Sequence, residues 1–130
     1  MDWNWKTDFL VDTNILIYIM ERHPHPVVSQ VSKFSLAVSV ISEIELLGKK
    51  NIQQDEVSMV RKLLNNCKIV DLNDTIKEIA ISIKQRYTVE LADAIIAATA
   101  KALDLQLVTT DKDFKKIQGV DIVILNLNRD

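Results

Sequence analysis

Five short apolar runs alternate with segments of helical periodicity along this chain, and that alternation limits its possible folds more than any other feature. The runs cover residues 9–11, 35–39, 68–72, 105–109 and 120–125. Strands that alternate with helices form mainly parallel sheets that are covered on both faces. We therefore predict an α/β fold of three layers, α/β/α, around a mainly parallel five-stranded sheet.

The segments between these runs are predicted to be helical and closely connected. Only two glycines and two prolines occur among 130 residues, so the connections must be short. One domain is expected at this length. The predicted helices cover residues 14–20, 26–33, 53–66 and 91–103, a segment from Val40 or Ser42 to Gly48, and a segment capped by Asn73 or Asp74.

Four acidic side chains accompany the apolar runs: Asp12, Glu45, Asp93 and Asp111. Asp12 and Asp111 each follow a predicted strand, where open parallel sheets bind their ligands. Asp93 is the only charged residue of the apolar segment 91–100, and burial of an unpaired carboxylate costs several kcal/mol. Four converging carboxylates repel each other unless a cation lies among them. The sequence is therefore best interpreted as that of a metal-dependent enzyme.

Two of these acids have a structural interpretation as helix caps. Asp12 can cap the helix that follows it, and Thr13 and Asn14 can either orient its carboxylate or cap the helix themselves. Asp111 can also be a cap, and Asp113 competes with it for the position nearer an ion. We favour Asp111 as the nearer of the two.

The other two acids have structural alternatives as well. Ser42 and Glu45 match the serine-x-x-glutamate capping box, and Glu43 is the better candidate for a solvent-facing acid. Asp93 can form a structural salt bridge instead of binding a metal. Thr88 is a candidate cap for the helix that carries Asp93.

Charge and cysteine content indicate a compartment and the extent of any nucleic-acid surface. The net charge is −2, so no chain-wide basic field attracts nucleic acid or lipid. If four carboxylates share one site, the remainder of the chain is at +2, and nucleic-acid contacts would be local. Cys67 is the only cysteine and cannot form an internal disulfide. With acids at Asp2 and Asp8 and no apolar run of bilayer length, we expect a cytoplasmic protein that does not enter a membrane.

Residues 11–14, 39–48, 91–100 and 107–114 together resemble the motifs of PIN-domain nucleases, and most closely those of the VapC-type toxins of toxin–antitoxin pairs. The resemblance runs from Phe9 to about Leu125. It implies a five-stranded parallel PIN-like sheet, with residues 1–8 as a short N-terminal extension of a single domain covering residues 1–130. Trp3 and Trp5 in that extension are interpreted as packing residues. Ser42 departs mildly from the family, which often has threonine there.

The resemblance also assigns roles to individual residues. It implies that the catalytic and metal-binding residues are Asp12, Glu45, Asp93 and Asp111. It further suggests that Asn14 and Thr109 support the site, and Asp113 is an additional candidate helper. Candidate contacts to a phosphate backbone are Lys49, Lys50, Lys84, Arg86 and Lys112, of which we expect fewer than half to touch RNA.

The expected chemistry is hydrolysis of a phosphodiester. Oxygen ligands without a cysteine or histidine cluster favour Mg²⁺ or Mn²⁺, and His23 and His25 are interpreted as surface residues. Water made more acidic by such an ion can attack a phosphodiester in line. By resemblance, the substrate is RNA, cut to leave a 5′ phosphate and a 3′ hydroxyl. The resemblance also implies a cognate antitoxin partner and a homodimer.

Two other functions are compatible with the same fold class. The acids can be caps and salt bridges of a catalytically inactive PIN-like interaction module. A phosphoacceptor receiver domain also has five parallel strands around an acidic pocket. It fits poorly, because it requires adjacent acids after its first strand and a lysine after its last, whereas Asp12 stands alone here.

Overall fold

Every strand pair in the sheet is parallel, in a computed structural model of the chain that describes residues 7–127. The strand order is β3-β2-β1-β4-β5. The predicted α/β architecture is confirmed, and the sheet is wholly rather than mainly parallel. The strands are β1 (Phe9–Val11), β2 (Leu36–Ser39), β3 (Lys68–Val70), β4 (Gln106–Thr109) and β5 (Ile122–Ile124).

Six α-helices and one 3₁₀ helix are described between the strands. Most begin or end within a few residues of their predicted limits, and the last α-helix has the predicted ends. Apolar periodicity marks where an element lies better than where its hydrogen bonding stops. The 3₁₀ helix was not predicted. The helices are α1 (Thr13–Met20), α2 (Pro26–Val31), α3 (Val40–Leu47), α4 (Gln54–Leu64), α5 (Asp74–Arg86), α6 (Leu91–Leu103) and the 3₁₀ helix (Lys112–Lys116).

The sheet separates two hydrophobic cores. Leu10 of β1 and Leu107 of β4 pack in the core that contains α5 and α6. Their neighbours Val11 and Val108 pack in the opposite core, with α1, α3 and α4. Consecutive side chains of a strand point to opposite faces, so two adjacent apolar residues supply both cores. This arrangement gives the three layers that the sequence predicted.

The strand order changes direction between β1 and β4. From β1 the chain proceeds to β2 and β3 on one side, and it then crosses to β4 and β5 on the other. Such a switch point opens a crevice at the carboxyl ends of the strands. Asp12 follows β1 directly, and its backbone N–H donates to the Val108 carbonyl of β4 at 3.2 Å. The first candidate acid therefore lies at the switch point.

Gly48 caps the C-terminus of α3, as predicted, and its small size is required there. Its N–H donates to the Ile44 carbonyl at 2.7 Å. A Cβ at Gly48 would lie 2.5 Å from that carbonyl oxygen, although the backbone φ of −87° is open to any residue. The requirement at this position is therefore close approach rather than a left-handed conformation.

The N-terminal segment is described only from Thr7 onward. The Asp8 carboxylate accepts a hydrogen bond from the Ser35 N–H, just before β2, at 2.8 Å. Trp3 and Trp5 lie outside the described residues, so their packing role and the division at residues 1–8 stay predictions. Within residues 7–127, no helix has both the length and the apolar character that crossing a bilayer requires.

Candidate active site

A cavity of about 410 Å³ lies at the carboxyl ends of β1 and β4, and six of the fourteen described residues that line it are acidic. Its lining residues come from α1, α3, α4, α6, the turns after α1 and α3, and the segment after β4. These elements are far apart in sequence, so the fold assembles the site. The four predicted acids all line this cavity, together with Glu21 and Glu56, which the sequence analysis did not single out.

Asp12 is the most buried acid of the cavity and is also a helix cap. One carboxylate oxygen accepts the Ile15 N–H of α1 at 3.0 Å, as a capping residue does. The other accepts a hydrogen bond from the Thr109 hydroxyl. Burial raises the pKa of Asp12 against these hydrogen bonds and one from the Asn14 backbone, which lower it. Capping of α1 and a position at the cavity, which were alternatives in the sequence, coexist in this one side chain.

Thr109 connects two of the acids. Its hydroxyl donates to Asp12 and accepts the backbone N–H of Asp111 at 3.0 Å. Thr109 is completely buried, so no water replaces these bonds. Its contacts are those expected of a supporting residue. Asn14 reaches Asp12 through its backbone, and its exposed side chain lines the cavity.

Glu45 is held by α1 and not by a capping box. The N-cap of α3 is Ser39, whose hydroxyl accepts the Ile41 N–H at 3.1 Å. The capping-box interpretation of Ser42 with Glu45 is therefore wrong, because the helix begins three residues earlier than that motif requires. Thr13 instead donates its hydroxyl hydrogen to Glu45 at 2.7 Å and lies 2.8 Å from the Ser42 hydroxyl. Since Thr13 has only one hydroxyl hydrogen, Ser42 is the donor in the second bond.

Among the acids of the cavity, Asp93 shows the clearest effect of repulsion between carboxylates. Burial, and then the negative charges of Asp111, Glu90, Asp12 and Glu45, raise the pKa of Asp93 from 3.8 to about 6. These charges are near enough to disfavour ionisation of Asp93.

The surroundings of Asp93 differ from two structural alternatives. Within residues 7–127, Asp93 takes part in no ion pair, so the salt-bridge alternative is not realised. The interpretation of Thr88 as the cap of α6 is wrong, because Glu90 is the N-cap and makes no side-chain capping bond. Asp93 thus lies in the first turn of α6, near the free amides of the helix.

Asp111 and Asp113 have different positions. Asp111 caps the 3₁₀ helix by accepting the Asp113 N–H at 2.9 Å, and it lines the acidic cavity. Asp113 is exposed and is not among the residues that line this cavity. It lines a neighbouring cavity of about 460 Å³, which shares Asp93 and Asp111 with the first. Asp111 therefore shares the acidic cavity with the other acids, whereas Asp113 lies only at the neighbouring cavity.

The candidate phosphate contacts are distributed unevenly around the two cavities. Lys49 lines the acidic cavity, but its ammonium group is 2.6 Å from the Glu56 carboxylate. Lys84 lines the neighbouring cavity and donates to the Val89 carbonyl at 2.6 Å. Arg86 lies over the Tyr87 ring, at 5.8 Å from its centroid.

Three further lysines differ in their positions relative to the two cavities. Lys50 and Lys112 are exposed, and neither lines the two cavities. Lys116, which the sequence analysis did not name, lines the neighbouring cavity and donates to the Thr88 carbonyl at 2.8 Å. No local pattern marks Lys116, because its partner is 28 residues away in the chain.

The donor set fits a hard divalent cation in charge and chemistry. Most polar side chains at the cavity offer carboxylate, hydroxyl or amide oxygens, which Mg²⁺ and Mn²⁺ prefer, and no cysteine or histidine among residues 7–127 lines it. In the described part of the chain, no three Asp, Glu, His or Cys side chains stand ready as a metal-ligand cluster. The carboxylates are therefore farther apart than the ligands of a bound ion, as expected from their mutual repulsion.

The family model of the PIN domain matches residues 9–120, which is most of the chain. The chain belongs to the PIN domain family. This family consists of nucleases that generally depend on metal ions, and the resemblance inferred from the motifs is confirmed. Among curated proteins, none matches the chain significantly.

Several solved structures are similar to this chain over nearly its whole length. A chain of a toxin–antitoxin complex from Klebsiella pneumoniae is 31% identical, with 89% of this chain and 96% of that chain covered and a TM-score of 0.74. A chain of DNA-bound VapBC from Salmonella typhimurium is 20% identical, with 91% and 98% covered and a TM-score of 0.80. A chain of VapBC2 from Rickettsia felis, bound to a promoter DNA fragment, is 23% identical, with 92% and 100% covered and a TM-score of 0.74. The last two support the fold alone.

Proposed function

We propose that this PIN domain is a metal-dependent endoribonuclease and the toxin of a toxin–antitoxin pair. One observation carries the catalytic part of this proposal. Asp12, Glu45, Asp93 and Asp111 come from four separate segments and line one cavity, and the charges of the other three contribute to raising the pKa of Asp93 to about 6. Repulsion between carboxylates of this kind is typical of functional sites, where a bound cation offsets it.

The proposed ligands differ in how firmly the protein holds them. Asp12 is fixed by the α1 amides and by Thr109, so we assign it as a principal ligand together with Asp93. Glu45 is oriented by Thr13, and Asp111 by the Asp113 amide. These two would complete the set of ligands around the ion. Each has one oxygen already held by a hydrogen bond.

When bound, Mg²⁺ or Mn²⁺ supplies positive charge that stabilises a phosphodiester under attack and makes water more acidic. The remaining contributions come from the chain itself. Thr109 keeps one Asp12 oxygen directed by its hydroxyl, and Thr13 does the same for Glu45. Asp93 would hold the cation as a carboxylate, and because its pKa is raised to about 6, protonation would compete with cation binding below about pH 6.

RNA is the proposed substrate. Because the cavity is acidic, basic side chains nearby are needed to bind the RNA phosphates. Lys84 and Lys116, at the neighbouring cavity, are better placed for this than Arg86, Lys50 or Lys112. Lys49 first has to leave Glu56.

An antitoxin is the proposed protein partner. The structural relative from Klebsiella pneumoniae is described as part of a toxin–antitoxin complex. Large apolar side chains are also exposed on two helices that contact each other: Ile44 on α3 is 57% exposed and Met59 on α4 is 50% exposed. An apolar partner segment would cover such side chains. A homodimer in the cytoplasm stays part of this proposal.

One observation favours a second candidate, a catalytically inactive interaction module. Asp12 and Asp111 are both helix caps, so two of the four acids have structural roles that require no metal. This candidate requires that the same acids do not bind a divalent ion. It also requires that RNA remain intact in the presence of Mg²⁺.

An RNA cleavage assay separates the two candidates. The purified chain is incubated with mixed-sequence single-stranded RNA in Mg²⁺ or in EDTA, and Asp12→Asn is the matched variant. Asn keeps the capping oxygen but not the charge. We expect cleavage only by the unsubstituted chain in Mg²⁺, with 5′-phosphate products. Cleavage that survives both EDTA and the substitution would contradict the mechanism, and intact RNA in Mg²⁺ would support the inactive module.

A further inference from the structure

Two hydrogen bonds join the segment after Asp111 to the loop that precedes Asp93. The ammonium group of Lys116, in the last turn of the 3₁₀ helix, donates to the Thr88 carbonyl at 2.8 Å. The Gln118 backbone N–H donates to the Tyr87 hydroxyl at 3.2 Å. Residues 87 and 88 belong to the loop between α5 and α6. The two bonds therefore link the segments that carry the two acids.

The loop is also held from its other side. Lys84, near the end of α5, donates to the Val89 carbonyl at 2.6 Å. Two consecutive carbonyls, of Thr88 and Val89, thus accept from lysines of different elements. Tyr87 itself packs against the core of α5 and α6. The start of α6 is fixed relative to the 3₁₀ helix by this set of contacts.

These contacts lie beside the acidic cavity. Lys84, Thr88 and Lys116 line the neighbouring cavity, whose wall includes Asp93 and Asp111. Asp93 is in the first turn of α6, and Asp111 caps the 3₁₀ helix that ends at Lys116. A shift of the loop relative to the 3₁₀ helix would therefore change the separation of these two carboxylates.

We propose that Lys116 and the Tyr87 hydroxyl are positioning residues that set the separation of Asp93 and Asp111, and thereby the affinity of the acidic cavity for a divalent cation. The inference rests on the proposed metal-dependent function. It assigns a role to two residues that do not themselves contact the cation. Groups that orient metal ligands commonly change metal affinity by about 10-fold or more when they are removed.

Electrostatics alone predicts the opposite effect of Lys116 on cation affinity, so the two explanations can be separated by experiment. Removal of a positive charge near a cation site strengthens cation binding, because one like-charge repulsion is lost. Lys116→Met removes the charge and the donor but keeps most of the alkyl chain. If Lys116 acted only as a charge, this variant would bind a divalent ion more tightly. The positioning role predicts weaker binding.

The experiment measures Mn²⁺ binding directly, by the electron paramagnetic resonance signal of free Mn²⁺, on the full chain without RNA. We expect Lys116→Met to weaken binding about 10-fold and Tyr87→Phe to weaken it severalfold. Lys116→Arg keeps a donor for the Thr88 carbonyl and should bind within about 2-fold of the unsubstituted chain, since charge and hydrogen bond are both retained. Lys115→Met is the control, because Lys115 is exposed on the same 3₁₀ helix. It should bind equally or slightly more tightly.

Each outcome decides one point. Equal or tighter Mn²⁺ binding by Lys116→Met overturns the inference, and so does weakening by Lys116→Arg as large as that by Lys116→Met. Tyr87→Phe removes a single oxygen and serves as the second test if the lysine variants unfold. Absence of Mn²⁺ binding by the unsubstituted chain would instead contradict the proposed metal-dependent function itself. The two failures are therefore distinguishable.

Discussion

A single threonine hydroxyl connects the two acids that follow the central strands. Thr109 donates to Asp12 and accepts from the Asp111 backbone, and all three are close to the switch point of the sheet. Local sequence cannot show this bond, because Asp12 and Thr109 are 97 residues apart. The parallel pairing of β1 with β4 brings them together.

Replacement of Thr109 by valine should destabilise the protein strongly for so small a change. The Asp12 carboxylate would lose its buried donor, which costs about 1–3 kcal/mol in unfolding free energy. Urea denaturation at neutral pH measures this loss. Thr99→Val is the matched control, since Thr99 is equally buried but its hydroxyl donates to the Ile95 carbonyl of its own helix. Equal losses in the two variants would contradict a special role for Thr109.

The pKa of Asp93 makes a prediction about pH and stability without metal. Because the folded-state pKa is raised from 3.8 to about 6, the folded protein retains a proton that the unfolded chain has lost between these values. The stabilisation of the folded protein by protonated Asp93 is therefore fully present below pH 3.8 and is lost as the pH rises from there through 6. Asp93→Asn carries no charge and avoids this loss. Since Asp93 is partly exposed, the gain should reach only about 1 kcal/mol at pH 7.

Urea unfolding in EDTA at several pH values between 4 and 7 checks this expectation. The difference between Asp93→Asn and the unsubstituted chain should increase with pH, with most of the change between pH 4 and 6, where the folded and unfolded chains differ most in protonation of Asp93. Asp121→Asn, at an exposed position, is the control for general charge effects. A gain that does not vary with pH would argue against ionisation of Asp93 as its source.

At the scale of elements, helix ends determine where the acids lie. The helix pattern of α3 was evident in the sequence, but its first residue was left between Val40 and Ser42. The actual cap, Ser39, lies in the last position of β2. This difference turns Ser42 from a cap into a partner of Thr13 and frees Glu45 for the cavity.

Gly48→Ala tests the other end of the same helix. A Cβ there would meet the Ile44 carbonyl oxygen at 2.5 Å, so the last turn of α3 must move. We expect a loss of about 1–3 kcal/mol in unfolding free energy, as for overpacked positions. Thermal and urea denaturation measure it. Lys50→Ala, two residues later and exposed, should stay within about 0.5 kcal/mol of the unsubstituted chain, and an equally small effect of Gly48→Ala would refute the steric argument.

At the scale of the whole molecule, the proposed cation should stabilise the fold by binding only the assembled site. The four acids come from segments separated by up to about 100 residues, so the unfolded chain offers no comparable site. At an ion concentration ~100 times the Kd, the stabilisation should be about 2.7 kcal/mol. Differential scanning calorimetry with Mg²⁺ or Mn²⁺ against EDTA measures it. Asp93→Asn should show little of this gain, and an equal gain in both proteins would place the ion elsewhere.

Much of this molecule could be predicted from the sequence, for identifiable physical reasons. The strands and helices follow from apolar periodicity, and the acids were recognised because carboxylates such as Asp93 interrupt apolar runs. The strand order, the partner of Glu45 and the bonds of Lys116 and Tyr87 could not be predicted. They depend on contacts between distant segments that leave no local pattern.

The three-residue central strand has an evolutionary consequence. Leu10 and Val11 serve opposite layers, and Asp12 follows without a spacer. A slip of one position would exchange both side chains and direct a carboxylate toward an apolar layer. Insertions and deletions near this strand should therefore be selected against, whereas the exposed turn around Asn51 should tolerate changes in length better. Lineages of this protein would diversify at their outer turns while this innermost strand stays fixed in length.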